Sequence, residues 1–255
     1  MRVLLLIVSL AAVGAAQNIQ RTVHLTSPVS TQASQEMMTI LLTVADLKDT
    51  NADARAQTIS FGGTAGQVAL SEWIIGVLDQ PPSQDAGQKQ IRDSATWQYT
   101  VPGTPDDFVR AFYLKNISNP QGMQELLTNL RTVADVQKIF NYTPLMAIVL
   151  RGPAEQVKLA AWMIDLLDQP GQPAENPAAF HYTSPLHKEE LVRVFYLPRI
   201  SQSKQLQDVL TAVRTKAKVE KAFYCSHPAA LVLRGTADQM IASETLIGQS
   251  DLAAR

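Results

Sequence analysis

The feature that most constrains this chain is that it repeats itself. VRAFYLKNIS (Val109 to Ser118) returns 83 residues later as VRVFYLPRIS (Val192 to Ser201). Without a gap, the same offset places Leu127-Thr128 on Leu210-Thr211, Arg131-Thr132 on Arg214-Thr215 and Lys138 on Lys221. It runs on through AIVLRGPAEQV (Ala147 to Val157) and ALVLRGTADQM (Ala230 to Met240), and upstream it aligns Tyr99-Thr100 with Tyr182-Thr183. A more divergent copy lies 89 residues before the second: Thr43-Val44-Ala45-Asp46 falls on Thr132-Val133-Ala134-Asp135, Trp73 on Trp162, and LDQP at Leu78 to Pro81 on LDQP at Leu167 to Pro170. A period of this length means one supersecondary unit used several times. Any fold for the chain has to be an array of three such units.

Each unit reads physically. Val109 to Leu114 is β-branched and aromatic, a strand. Asn119-Pro120 supplies a cap and a proline at the first helical position. Met123, Leu126, Leu127, Leu130 and Val133 then fall at the three- and four-residue spacing of an amphipathic helix. Val136 to Tyr142 and Ala147 to Leu150 are short apolar runs split by Thr143-Pro144, a hairpin. After Gly152 a second helix buries Val157, Ala160, Ala161, Ile164 and Leu167, and Pro170 stops it. In the other copies this helix opens with Thr64 and Gln67, or Thr236 and Gln239, both capping boxes. The order strand-helix-strand-strand-helix predicts an α+β fold: three tandem units, each a small three-stranded sheet with two helices on one face and its edge strands open. Thr96 to Val101 and Phe180 to Thr183 add a further strand to the second and third units. The first unit lacks it, because its counterpart falls in the N-terminal apolar segment. The expected division is unit one at 17–81, unit two at 96–170 and unit three at 179–251, with polar, Pro-containing linkers at 82–95 and 171–178.

The start, MRVLLLIVSLAAVGAAQ, has a positive residue, an apolar run and small residues at Gly14-Ala15-Ala16, the pattern of a secretory signal over residues 1–16. The apolar run is short of the ~20 residues that span a bilayer. Export with cleavage near Ala16 is therefore expected. The single cysteine, Cys225, allows no intrachain disulfide and reads as a small buried strand residue. Net charge is −1 with no basic cluster, which excludes a phosphate-gripping surface and so a nucleic-acid partner.

FYLKNIS, LRTVADVQ, AIVLRG and LLDQP, in this order and recurring, resemble the repeated N-terminal modules of bacterial secretins, the NolW-like type. The resemblance covers nearly all of the chain beyond the signal. It implies a periplasmic location, modules packed side by side, and docking of other secretion or pilus components. Nothing after Arg234 is long enough to supply the secretin barrel, so an array of modules without the pore is expected.

No catalytic or cofactor constellation stands out. His24, His181, His187 and His227 lack metal-ligand spacing, and His24 falls on the strand position of Tyr113 and Tyr196. Asp106-Asp107 and Glu189-Glu190 precede strands and read as solvated turns. Gly62-Gly63, Gly152 and Gly235 sit at a strand-to-helix turn and read as turn formers, without the Gly-rich loop and lysine of a nucleotide site. The candidate interaction residues are Arg131, Arg151, Arg214 and Arg234, which recur in units two and three, where unit one has Leu42 and Gly62. One reading is a local salt bridge or a stem lying over the core. The other is a contact between modules or with a partner. The chain is thus expected to be an exported, non-enzymatic scaffold in contact with protein partners or with itself. The alternative is an exported enzyme or small-ligand binder with its site between modules.

Overall fold

The repeat is carried into three dimensions as three antiparallel sheets with helix pairs between them. A computed structural model describes residues 18–80, 97–104, 106–183, 189–200 and 202–253. The signal-like segment, the linker at 82–95 and His187 lie outside them. Unit one comprises β1 (Ile19–His24), α1 (Thr31–Val44), β2 (Asp49–Asp53), β3 (Thr58–Gly63) and α2 (Ala65–Leu78). Unit two comprises β4 (Gln98–Thr100), β5 (Phe108–Tyr113), α3 (Pro120–Thr132), β6 (Lys138–Tyr142), β7 (Ala147–Gly152) and α4 (Ala154–Leu167). Unit three comprises β8 (Phe180–Thr183), β9 (Glu189–Tyr196), α5 (Ser203–Lys216), β10 (Lys221–Ser226), β11 (Ala229–Gly235) and α6 (Ala237–Ala253). The sheets run β1-β3-β2, β4-β5-β7-β6 and β8-β9-β11-β10. The expected α+β class holds, and the short extra strands make the second and third sheets four-stranded.

Local chemistry sets the helix ends. Ser30 Oγ accepts the N–H of Ala33 at 3.1 Å and Asn119 Oδ1 that of Gly122 at 2.8 Å. Thr64 and Gln67 form a complete capping box. α4 begins after Pro153, which has no side-chain cap; Asp106 accepts the N–H of Ala154 at 2.9 Å instead. A Cβ at Gly152 would lie 2.7 Å from Gln156 Oε1, and one at Gly235 would lie 2.4 Å from Gln239 Oε1, each the far end of a flexible side chain. Gln67 and Gln239 use their amides to donate to the carbonyls of Asp46 (2.7 Å) and Lys218 (2.6 Å), each a left-handed residue.

The units stack. Val109 and Ala111 of β5, with Ala147 and Val149 of β7, belong to one buried cluster with Met37, Ile40, Ile74 and Leu78 of unit one. One unit later, Val192, Val194, Ala230 and Val232 join Leu126, Leu130, Val157 and Met163 of unit two. The helices of unit three close on their own sheet, around Phe195, Leu206, Leu231 and Leu233. The order is sheet, helices, sheet, helices, sheet, helices, so two of the three helix layers are covered on both faces. β7 and β11 are accordingly buried along nearly their whole length, whereas β3 alternates. A strand buried on both sides reads as a continuous apolar run, and AIVLRG and AALVLRG are such runs. The stretch 171–178 is pinned to unit three: Gln172 exchanges two hydrogen bonds with the backbone of Ala229 (3.1 and 2.8 Å), and Asn176 accepts the N–H of Tyr196 at 2.7 Å.

Candidate interaction surface

The polar side chains that the repeat singles out converge on the two seams between units. At the first seam Arg151, at the end of β7, reaches back to unit one: its guanidinium donates to the carbonyl of Val44 and to Asp46, each at 3.1 Å. Its other face grips Asp107 in its own unit, with contacts of 2.6 to 3.0 Å. Lys138 joins Asp46 from the neighbouring strand. The second seam repeats this device. Arg234 donates to the carbonyl of Val133 at 2.6 Å and to Asp135 at 2.7 Å, and Lys221 also pairs with Asp135. Arg234 Nε lies 2.9 Å from Glu190 without the alignment of a hydrogen bond, so that pair is a charge contact alone.

The sequence places the acceptors as well as the donors. Asp46 and Asp135 follow α1 and α3 in left-handed conformation, φ 55 and 56. The helix there has run out of backbone donors, and its terminal carbonyls attract cations. Burial alone would raise the Asp135 carboxyl; Lys221 and Arg234 outweigh it and hold the group below the ordinary carboxylate value. Arg151 is held above its ordinary value, first by its bonds to Asp107.

Three further devices recur at both seams. Glu36 of α1 accepts from the backbone and hydroxyl of Thr143 (2.7 and 2.8 Å), and Glu125 of α3 does the same for Ser226 (both 2.7 Å). Tyr113 donates to the carbonyl of Val77 at 2.7 Å, and Tyr196 to that of Leu166 at 2.9 Å. Trp73 meets Tyr99 with ring centres 5.6 Å apart, and Trp162 meets Phe180 at 5.4 Å. Tyr182, the sequence match of Tyr99, is instead buried under the guanidinium of Arg234, 4.6 Å from its ring centre.

Arg151 and Arg234 therefore lie across seams, and Arg131 and Arg214 do not. Arg131 donates to the carbonyl of Ile139 at 3.1 Å and Arg214 to that of Ala222 at 2.5 Å, each inside its own unit. The acidic pairs are more engaged than solvated turns would be: Asp107 and Glu190 hold the seam arginines. Sequence reasoning passed over Glu36, Glu125, Tyr113 and Tyr196 as seam residues. A partial signal was present: residues that reach forward are shared by units one and two and differ in unit three, whereas sharing by units two and three alone does not mark a seam residue, because Arg131 and Arg214 have it as well as Arg151 and Arg234. Asp46 and Asp135 give way to Lys218, and Trp73 and Trp162 to Thr245.

Both ends of the stack depart from the seam pattern. On the outward face of the first sheet, Gln20, Thr22 and Ser60 stand where unit two has Val109, Ala111 and Val149, and Thr22 bonds Ser60 at 2.8 Å. On the last helix layer, Gln249 and Ser250 replace Leu166 and Leu167, while Ile241 and Leu252 of α6 are exposed.

No model of a known protein family matches the chain, and no curated protein does. Among solved structures it is similar to Aeromonas hydrophila ExeD, at 18% identity over 93% of this chain and 42% of that one, with a TM-score of 0.21. It is also similar to the type II secretion system secretin GspD of E. coli K12, at 12% identity over 92% of this chain and 39% of that one, with the same TM-score. The chain thus spans about two fifths of the secretins it matches. Among the described residues no helix is long and apolar enough to cross a membrane.

Proposed function

We propose that this chain is an exported scaffold of the bacterial envelope, a stack of modules of the secretin N-terminal (NolW-like) kind that holds protein components of a secretion or pilus-type assembly. The observation that carries this reading is the seam. The chain's recurring charged and aromatic residues join one unit to the next and build one stacked body. The division at 17–81, 96–170 and 179–251 belongs to this reading, as does removal of residues 1–16 on the way to the periplasm. Arg151 and Arg234 act in it as the clasps that fix the mutual orientation of the units, and so the shape offered to a partner.

The competing reading places a ligand site between units. A groove of about 360 Å3 lies between α1 and the start of α3, lined by Gln32, Glu36, Met123 and Phe140. Both oxygens of Glu36, the acidic group of that groove, are already committed to Thr143. The scaffold reading is tested by sedimentation of the purified chain and by affinity capture from an envelope extract, with identification of the captured proteins. Assembly, or capture of secretion or pilus components, is expected. A strictly monomeric chain that recovers no such component overturns the reading and moves the ligand-binding alternative ahead.

A further inference from the structure

Among the described residues, unit one has one strand fewer than its siblings. β5 and β9 are each flanked by an added antiparallel strand, β4 and β8, on the side away from β7 and β11. β1 occupies their place in unit one, pairs with β3 on one side and, among the described residues, is an edge strand on the other. The two filled edges place an aromatic residue at one shared position, although their registers differ by two residues. Tyr99 stands opposite Val109, and Phe180 stands opposite Val192. Val109 and Val192 both correspond to Gln20. The sequence match of Tyr99 with Tyr182 conceals this, because β8 has slipped two residues along β9 and so kept the same side chains on the same face.

The opposite edges differ. β6 packs against α1 of the preceding unit, and β10 against α3. β1 has no such cover: four of its six residues are exposed, against none in β5. A row of unpaired backbone groups on an exposed edge is a template for another strand.

We propose that the free edge of β1 is a docking site for an extended segment of another polypeptide, added antiparallel across Ile19 to Arg21 in the register of β4. The proposal rests on the scaffold reading and names the surface that does the holding. The chemistry of the segment follows from what it would face. Opposite Gln20 it meets the polar outer face of the sheet, beside which no tryptophan stands among the described residues, so the aromatic residue of β4 and β8 has no counterpart to pack on. Opposite Arg21, which pairs with Glu72 at 3.0 Å, it meets a charged pair; β4 places Gln98 at that position against Arg110. The fitting segment is a short strand of polar, hydrogen-bonding side chains whose hold comes from main-chain bonds.

The experiment uses the full secreted chain and, as probe, an acetylated and amidated peptide of residues 96–101 with Tyr99 changed to Thr, titrated to its solubility limit. Amide hydrogen exchange is followed across Ile19–His24, with β5 and β9 as internal controls. Slowing of the β1 amides by at least tenfold, with the controls unchanged, is expected. A second variant carries residues 97–106 grafted ahead of Asn18, which supplies the missing strand and its turn. It should protect the β1 amides without peptide and raise the unfolding midpoint. A graft that leaves those amides unprotected overturns the proposal. So does protection of β1 in the untouched chain, since the edge is then already filled; sedimentation assigns that to a second copy if the mass doubles, or to the chain's own residues if it does not. A failed graft alongside continued capture of secretion components removes the edge and leaves the scaffold reading standing.

Discussion

Replacing Arg234 with methionine removes a guanidinium that is 2% exposed and keeps a stem of similar length in place. Three groups lose their partner or part of it. The carbonyl of Val133 has its bond at 2.6 Å cut, Asp135 loses one of two cations, and Glu190 is left facing an apolar chain. Removing one member of a buried ion pair costs roughly 3–5 kcal/mol, most of it the stranded charge. Asp135 is a third exposed and keeps Lys221, so water and lysine carry part of that charge. The loss expected for Arg234→Met is therefore about 2–3 kcal/mol. Arg193→Met is the control, because Arg193 pairs with Glu244, which is 57% exposed. Solvent already screens that pair, and its loss should cost about 0–1 kcal/mol. Urea unfolding followed by circular dichroism compares the two at equal slope. If Arg234→Met costs no more than Arg193→Met, the seam is held by its apolar layer alone and the clasp argument is wrong.

The same seam should respond to acid. Asp135 has a depressed value in the folded chain, so its contribution is complete above the ordinary carboxylate value of ~4 and is lost as pH falls through the lower folded value. Unfolding midpoints measured between about pH 6 and pH 2 should fall more steeply for the wild type than for Arg234→Met. Cys225 is buried and its thiol is pushed up to about 12, first by burial, so a disulfide reagent at about pH 8 should label it only in denaturant. Prompt labelling of the native chain would show that the second seam opens. Trp162→Thr, which installs the residue of unit three, should destabilise the chain by about 2–3 kcal/mol through lost packing on Phe180, whereas Thr245→Ala should change stability by less than about 0.5 kcal/mol. Mass spectrometry of the secreted protein should find a chain beginning near Gln17; an intact Met1 in the cytosol refutes export.

Much of the fold was legible because its signals are local. The proline after Asn119, the Thr-Gln capping boxes and the spacing of Met123, Leu126 and Leu130 each depend on residues within a turn or two, so they announce their helices without knowledge of the partner. The unbroken apolar run of β7 also gave its strand away, although the reason for it, burial on both faces, belongs to the stack. The site was legible in part. Recurrence drew attention to four arginines, but it could not separate Arg131 and Arg214, which bond a carbonyl in their own unit, from Arg151 and Arg234, which cross to the unit before. Arg131 and Arg214 lie in the last turn of a helix and Arg151 and Arg234 near the end of a strand, but all four recur in the same two units, so recurrence alone does not tell which of them reaches a neighbour.

The sequence by itself determined that there are three copies of one unit, the order of elements inside each copy and the face of each helix that turns inward. These follow from periodicity and capping, which act over a few residues. Tertiary structure alone decided that the copies stack, that Asp46 and Asp135 receive an arginine from the next unit, and that Phe180 takes the place of Tyr99 beside a tryptophan. Those outcomes depend on contacts between residues some 18 to 105 positions apart. A residue's own neighbours in the chain exert no force that selects such a partner; the choice is made when two apolar faces close on each other and the nearby charges must be paired or left buried.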